Sequence, residues 1–434
     1  MRRRIETDLT RRTLLQLGLL GAAGAMLPWT RAREAWAAGA TAPHFLVTFF
    51  GDGGWDVTQV FDVHDPADAT DGVDVDVPQA VSGLPPSRIA TAGGVTYISN
   101  STSRPAADTF FGRWGSRSAV INGINTRSTS HDQSRQLVLT GYLDPTRADF
   151  AVMSARQNGA DLPLPHLLLS GPSYAGPFAG LSGRVGGQLS QVLGYNKIPD
   201  ANNPDNTVRA VSAAGETAIQ QALETQRTID QFGALTGRIG QFHDANVRGD
   251  QLASLANSLP RDSGDGTQLA NSVGAAFRAG MTASVTVNNV GGFDTHSNNQ
   301  NQSNSWQDLF TFLDQFLSGL AAQAGVASPT LLDETTVVYC SEFGRTPELN
   351  GDNGKDHHPW TSVLVVGKGV HGGMTFGLTD RDQVGVKVNF ATGRPDDTGQ
   401  IIDVTNLVAG VMTLVGANSN DYLAGVRPFT AMVA

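Results

Sequence analysis

The chain has 434 residues, 40% hydrophobic and 16% charged, against about 25% charged in an average soluble protein. That balance argues against a disordered chain and a polytopic membrane protein, and the 50 glycines show no collagen period. A net charge of −10 argues against phosphate-mediated nucleic-acid binding, and the single Cys340 excludes an internal disulfide or a multi-thiolate metal site.

Residues 1–37 read as a targeting segment. Arg2, Arg3 and Arg4 open it, Arg11-Arg12 follow, an apolar run extends from Leu14 to Leu27, and Ala35-Trp36-Ala37 has the small-x-small form of a cleavage site. This order looks like a twin-arginine (Tat) signal peptide, which implies contact with the Tat translocase and a periplasmic or extracellular location. The run is too short and too glycine-rich to span a membrane, so no transmembrane segment is expected in the mature chain. The leader holds seven arginines and three acids, leaving 23 basic and 37 acidic residues and a mature charge of −14.

Residues 44–50 (HFLVTFF) predict a buried parallel strand that ends at Gly51-Asp52-Gly53-Gly54-Trp55-Asp56. The acidic stretch 62–76 has no period and reads as a solvated loop. Short strands are predicted at 116–121 and 167–170, with a Gly/Ser-rich loop at 171–187. Helices are expected over 207–258 and 267–282, forming a helical insertion or cap over the sheet. Residues 284–289 alternate as a strand. Trp306, Leu309, Phe310, Leu313, Phe316, Leu317 and Leu320 recur at helical spacing within 304–324. Strands at 335–340 and 362–366 and a helix at 403–415 complete a single α/β domain, residues 38–434, with a mainly parallel sheet flanked by helices. Cys340 falls inside a buried strand, where a packing role is expected.

Five polar clusters flank these strands. They are Asp52 with Asp56, the segment Ser128-Thr129-Ser130-His131-Asp132-Gln133-Ser134-Arg135, Asp294 with His296, Glu342 with Arg345, and Asp356-His357-His358. Ligands sit at the carboxyl ends of strands in open α/β sheets. Carboxylates and neutral imidazoles there suit a divalent cation: zinc or manganese for mixed ligands, magnesium or calcium for hard oxygens. Each cluster alone also reads blandly, as a turn, a helix cap, a solvated histidine or a local ion pair.

The order Gly-Gly-Trp-Asp, His-Asp-Gln-Ser-Arg, Gly-Gly-Phe-Asp-Thr-His, Ser-Glu-Phe-Gly-Arg-Thr and Gly-x-Asp-His-His resembles a Tat-exported bacterial family of unassigned role, the domain of unknown function numbered 1501. Proteins of that family resemble the alkaline phosphatase and sulfatase superfamily, which implies an alkaline phosphatase-like sandwich. The resemblance places metal ligands at Asp52 or Asp56, at Asp294 and His296, at Glu342, and at His357 or His358. Phe343 stands where the superfamily has a histidine. His131 falls at the nucleophile position and Arg135 at the arginine that supports it, with Ser128, Thr129 and Ser130 as neighbouring hydroxyls.

The implied activity is metal-dependent hydrolysis of a phosphate or sulfate ester, in a small molecule or a glycan. The metal would polarise an ester oxygen, Ser130, Thr129 or His131 would attack, and Arg135 or Arg345 would stabilise the equatorial oxygens. His131 has a second reading as general acid. A non-catalytic protein with a structural metal, serving binding or assembly at the cell surface, is the competing reading. Trp55 and Trp360 raise a third, a glycan-binding module.

Overall fold

Phe45–Phe50 forms strand β1, and every residue in it is buried. Phe45, Val47 and Phe49 enter one apolar core, and Leu46 and Phe50 enter another, so the strand is covered on both faces. This explains why it is an unbroken apolar run with no polar alternation. The computed structural model describes residues 43–65, 73–74, 87–185, 260 and 262–434, with the backbone of a hairpin, Lys197–Asp200 and Asn203–Arg209, and a few helical residues between 217 and 225. The leader at 1–37 lies outside the described residues, as does almost all of the helical segment expected over 207–258. Residues 207–209 belong to the hairpin strand.

The other strands of the main sheet are β2 (Ser118–Asn125), β3 (His166–Leu168), β4 (Ser182–Arg184), β5 (Ser284–Asn288), β6 (Thr335–Cys340), β7 (Trp360–Gly367), β8 (Met374–Phe376) and β9 (Ile402–Asp403). Their order is β8-β2-β7-β6-β1-β5-β3-β4, with β9 also paired to β2. Six of the eight pairings are parallel, and both antiparallel ones involve β7.

Helices cover both faces. On one lie α1 (Pro105–Trp114), α4 (Gly266–Arg278) and α5 (Gln302–Ala321). On the other lie α2 (His131–Thr140), α3 (Phe150–Gly159) and α6 (Val404–Leu414). The apolar stripe of α5 is wholly buried, and Phe49 of β1 meets Phe312 and Phe316 edge-on at 5.3 and 5.0 Å. Phe45 stacks on Phe277 of α4 at 4.2 Å, so the helix within the expected 267–282 segment packs on the sheet face beside α5. Each such buried ring contributes roughly 1.5–3 kcal/mol through area removed from water.

The acidic stretch departs from the solvated loop at its start. Asp62 is fully buried, accepts from Thr379 Oγ1 at 2.5 Å and lies 3.5 Å from His64 Nε2. Residues 66–72 and 75–76 lie outside the described residues. No helix among the described residues is long and apolar enough to cross a membrane.

Strand direction positions the chemistry. The carboxyl ends of β1, β2, β5 and β6 share one edge. Because β7 runs against its neighbours, its amino end reaches that edge too. Residues 51–56, 126–131, 289–296, 341–345 and 357–358 therefore converge there.

Candidate metal centre

His131 is the first residue of α2, reached directly from the carboxyl end of β2. Its Nδ1 lies 2.8 Å from Glu342 Oε1, a fully buried carboxylate just past β6. Glu342 is itself held by the Gly53 backbone N–H at 2.9 Å and by the Ser341 hydroxyl at 2.9 Å. His357 Nδ1 donates to the Thr129 carbonyl at 2.8 Å. His296 Nδ1 faces Asp356 Oδ1 at 2.9 Å. A carbonyl or carboxylate accepts and does not donate, so each Nδ1 carries the hydrogen. In the neutral rings, each Nε2 then presents a lone pair.

Those lone pairs gather on Asp294. Its carboxylate lies 3.6 Å from His131 Nε2, 3.3 Å from His357 Nε2 and 3.3 Å from His296 Nε2. His131, Asp294 and His357 offer ligand atoms that all lie within 4.8 Å of one another. His296 Nε2 also stands 3.0 Å from His357 Nε2. Two lone pairs at that distance repel unless a proton or a cation lies between them. Imidazoles fixed at Nδ1 by oxygen acceptors and aimed through Nε2 are the usual form of histidine ligation, so these residues fit a divalent ion of the zinc class.

The surroundings hold the ligands in place. Arg345 is fully buried and donates to Gly54 O at 2.7 Å, to Lys355 O at 2.9 Å, to Gly53 O, and to Asp294 Oδ1 at 2.7 Å. Burial alone would raise the Asp294 carboxyl, but the charge-assisted hydrogen bond from Arg345 outweighs it and holds the group below the ordinary carboxylate range. Burial is the main force lowering the His357 imidazole, with Arg345 adding to it, which favours the neutral, ligating form. Phe343 packs against His131 and His357 with ring centroids 4.9 and 4.3 Å away, an apolar wall beneath both rings. The turn after β1 needs two glycines here. Gly53 and Gly54 have φ of +119° and +76°, and a Cβ on them would meet Asp294 N at 2.5 Å and the Phe343 ring at 2.2 Å.

Other expected residues fall into distinct places. Asp52 lies at the rim and is clamped by Arg135 through Nε at 3.1 Å and through Nη2, while Arg135 Nη1 reaches Asp132 at 3.3 Å. Asp56 is fully buried, caps a short helix, and pairs with Lys355 Nζ at 3.0 Å, so it does not face the cluster. His358 follows His357 on a two-residue strand and turns to the other side, against the backbone of Asp382 and Gln383; burial lowers its imidazole. Arg345 has no exposed face for a substrate, and its contacts make it a support for Asp294. Thr129 and Ser130 are exposed beside the histidines, and Ser128 Oγ bonds to Gln133 and to the Ser130 backbone. Trp55 is buried and stacked on Trp306 at 5.2 Å, which removes it as a glycan platform. Cys340 is buried with its thiol pushed up by desolvation, in keeping with packing.

Two residues of the expected clusters act in roles that the sequence reading does not assign. Asp356 orients His296, and its only sequence signal is its place beside His357-His358. The Thr129 contribution is a backbone carbonyl, which no side chain encodes.

No curated protein matches the sequence. A solved structure from work on the metabolism of multiple glycosaminoglycans by Bacteroides thetaiotaomicron through a versatile core genetic locus is similar at 10% identity and a TM-score of 0.34, covering 90% of this chain and 76% of its own. A TM-score of that size assigns neither fold nor function. The family model described as a protein of unknown function (DUF1501) matches residues 44–426, and the chain belongs to that family.

Proposed function

We propose that this is an exported metal-dependent hydrolase of phosphate or sulfate esters, built on an alkaline phosphatase-like sandwich and delivered by the Tat pathway. The observation that carries the metal is the convergence of the Nε2 atoms of His131, His357 and His296 on Asp294, each ring fixed through Nδ1. A zinc-class ion held there would supply Lewis-acid polarisation and a water of lowered pKa. Glu342 and the Thr129 carbonyl keep the rings in the ligating tautomer. Arg345 orients Asp294. Phe343 keeps water from beneath the imidazoles. The exposed hydroxyls of Thr129 and Ser130 stand at the open rim, where a substrate would enter.

A non-catalytic role with a structural metal is the second reading. It is favoured by the complete internal engagement of Arg345 and by the clamp of Arg135 on Asp52, which leave no unengaged guanidinium at the basin among the described residues. Metal content of the mature protein and its turnover of aryl phosphate and aryl sulfate esters separate the two, with Asp294→Asn alongside. Metal-dependent turnover that falls in Asp294→Asn supports the hydrolase. Bound metal without turnover of any ester favours the structural role. Turnover unchanged in Asp294→Asn removes this site.

A further inference from the structure

The charges at the basin narrow the substrate class. Among the described residues five carboxylates belong to it: Asp52, Asp132, Asp294, Glu342 and Asp356, each in contact with a site imidazole or guanidinium. Two guanidiniums oppose them, Arg135 and Arg345. Lys355 is neutralised by Asp56 and stands apart. With ligating imidazoles neutral, these residues carry three negative charges. One divalent cation at the His131, Asp294 and His357 group leaves a net charge of −1, against which each further anionic charge on a ligand counts.

The guanidiniums are already engaged. Arg345 is buried, with Asp294 and three backbone carbonyls on its donors. Arg135 holds Asp52 through two donors and Asp132 through a third, and Glu342 lies 3.8 Å from it. A bound oxyanion would therefore meet the metal's charge and no spare arginine among the described residues, while Asp52, Glu342 and Asp294 repel a second negative charge at short range.

Resting on the hydrolase reading, we infer that the centre takes one divalent cation and a singly charged tetrahedral ester, the charge state shared by sulfate monoesters and phosphate diesters. Doubly charged phosphate monoesters are disfavoured. Asp52 is the specificity residue in this account, because it occupies the arginine that a second charge would need.

Two probes of the same shape and different charge test it: benzenesulfonate and phenylphosphonate. Their binding to the zinc-loaded mature protein is measured by calorimetry at about pH 8.5, where the phosphonate is doubly charged. Bound zinc is counted by elemental analysis. The expected result is one zinc per chain and benzenesulfonate bound about tenfold tighter than phenylphosphonate, with Asp52→Asn closing that gap. Equal or tighter phosphonate binding, failure of both probes to bind, or two zinc ions per chain overturns the inference. Turnover of an aryl sulfate, a methyl aryl phosphate diester and an aryl phosphate monoester tests the reading beneath it separately. Faster turnover of the monoester sinks the charge preference alone. No turnover of any ester sinks the hydrolase even where the sulfonate binds tighter.

Discussion

Two clusters, each centred on an aspartate, lie at the carboxyl edge of the sheet and are built on opposite principles. Around Asp56, Lys355 Nζ at 3.0 Å, Thr58 Oγ1 at 2.6 Å and Asn299 Nδ2 at 2.6 Å engage both carboxylate oxygens, and the whole group is buried. Around Asp294, three imidazole nitrogens face the carboxylate with lone pairs unused, and the residue is half exposed. The first cluster is complete by itself. The second leaves imidazole lone pairs that a cation would satisfy. The difference teaches that an aspartate at a strand end does not by itself mark a candidate metal site; its partners do, lysine and amide donors filling one carboxylate and imidazole lone pairs facing the other.

Breaking the buried cluster has the largest expected effect. Lys355→Met leaves Asp56 charged and unpaired in the interior, at a cost of about 3–5 kcal/mol in urea unfolding. A loss below about 1 kcal/mol would erase the contrast between the clusters. His357→Ala acts the other way: it lowers zinc affinity by more than about 100-fold, beyond the usual range for outer partners, while secondary structure by circular dichroism stays intact. Glu342→Gln keeps the shape but weakens the hold on His131 Nδ1, and zinc affinity falls about 10–100-fold. Unchanged affinity in a chelator competition would show that Glu342 does not orient His131.

The opposite edge of the sheet supplies the smallest effect. Burial, with Lys368 as a secondary cause, depresses the His44 imidazole from 6.5 to about 4. The unfolded chain takes up this proton first, so the stabilisation is whole above pH 6.5 and declines as pH falls through about 4. Urea midpoints across that window should fall on acidification in the zinc-free protein, and less steeply in His44→Asn. A midpoint that rises contradicts the assignment.

Much of this fold follows from sequence pattern. The apolar runs at 45–50 and 335–340 are strands because both of their faces are covered, and the 304–324 stripe is a helix because its spacing is helical. The reversed direction of β7 has no local signature, yet it alone explains how His357 reaches an edge formed by the carboxyl ends of its neighbours. The choices between Asp52 and Asp56, and between His357 and His358, are equally hidden. Each pair is close in the chain, and strand alternation or a turn sends its members to different surroundings. Lys355 decides the fate of Asp56 from 299 residues away, a pairing that only tertiary structure creates.

The most direct test of the central claim is the zinc bound per chain in the mature protein and in Asp294→Asn, where the amide oxygen still accepts from Arg345. The account predicts about one ion per wild-type chain, resistant to dialysis, and little or none in the variant. Absence of bound zinc in the wild type after loading, or equal retention by both, would contradict it.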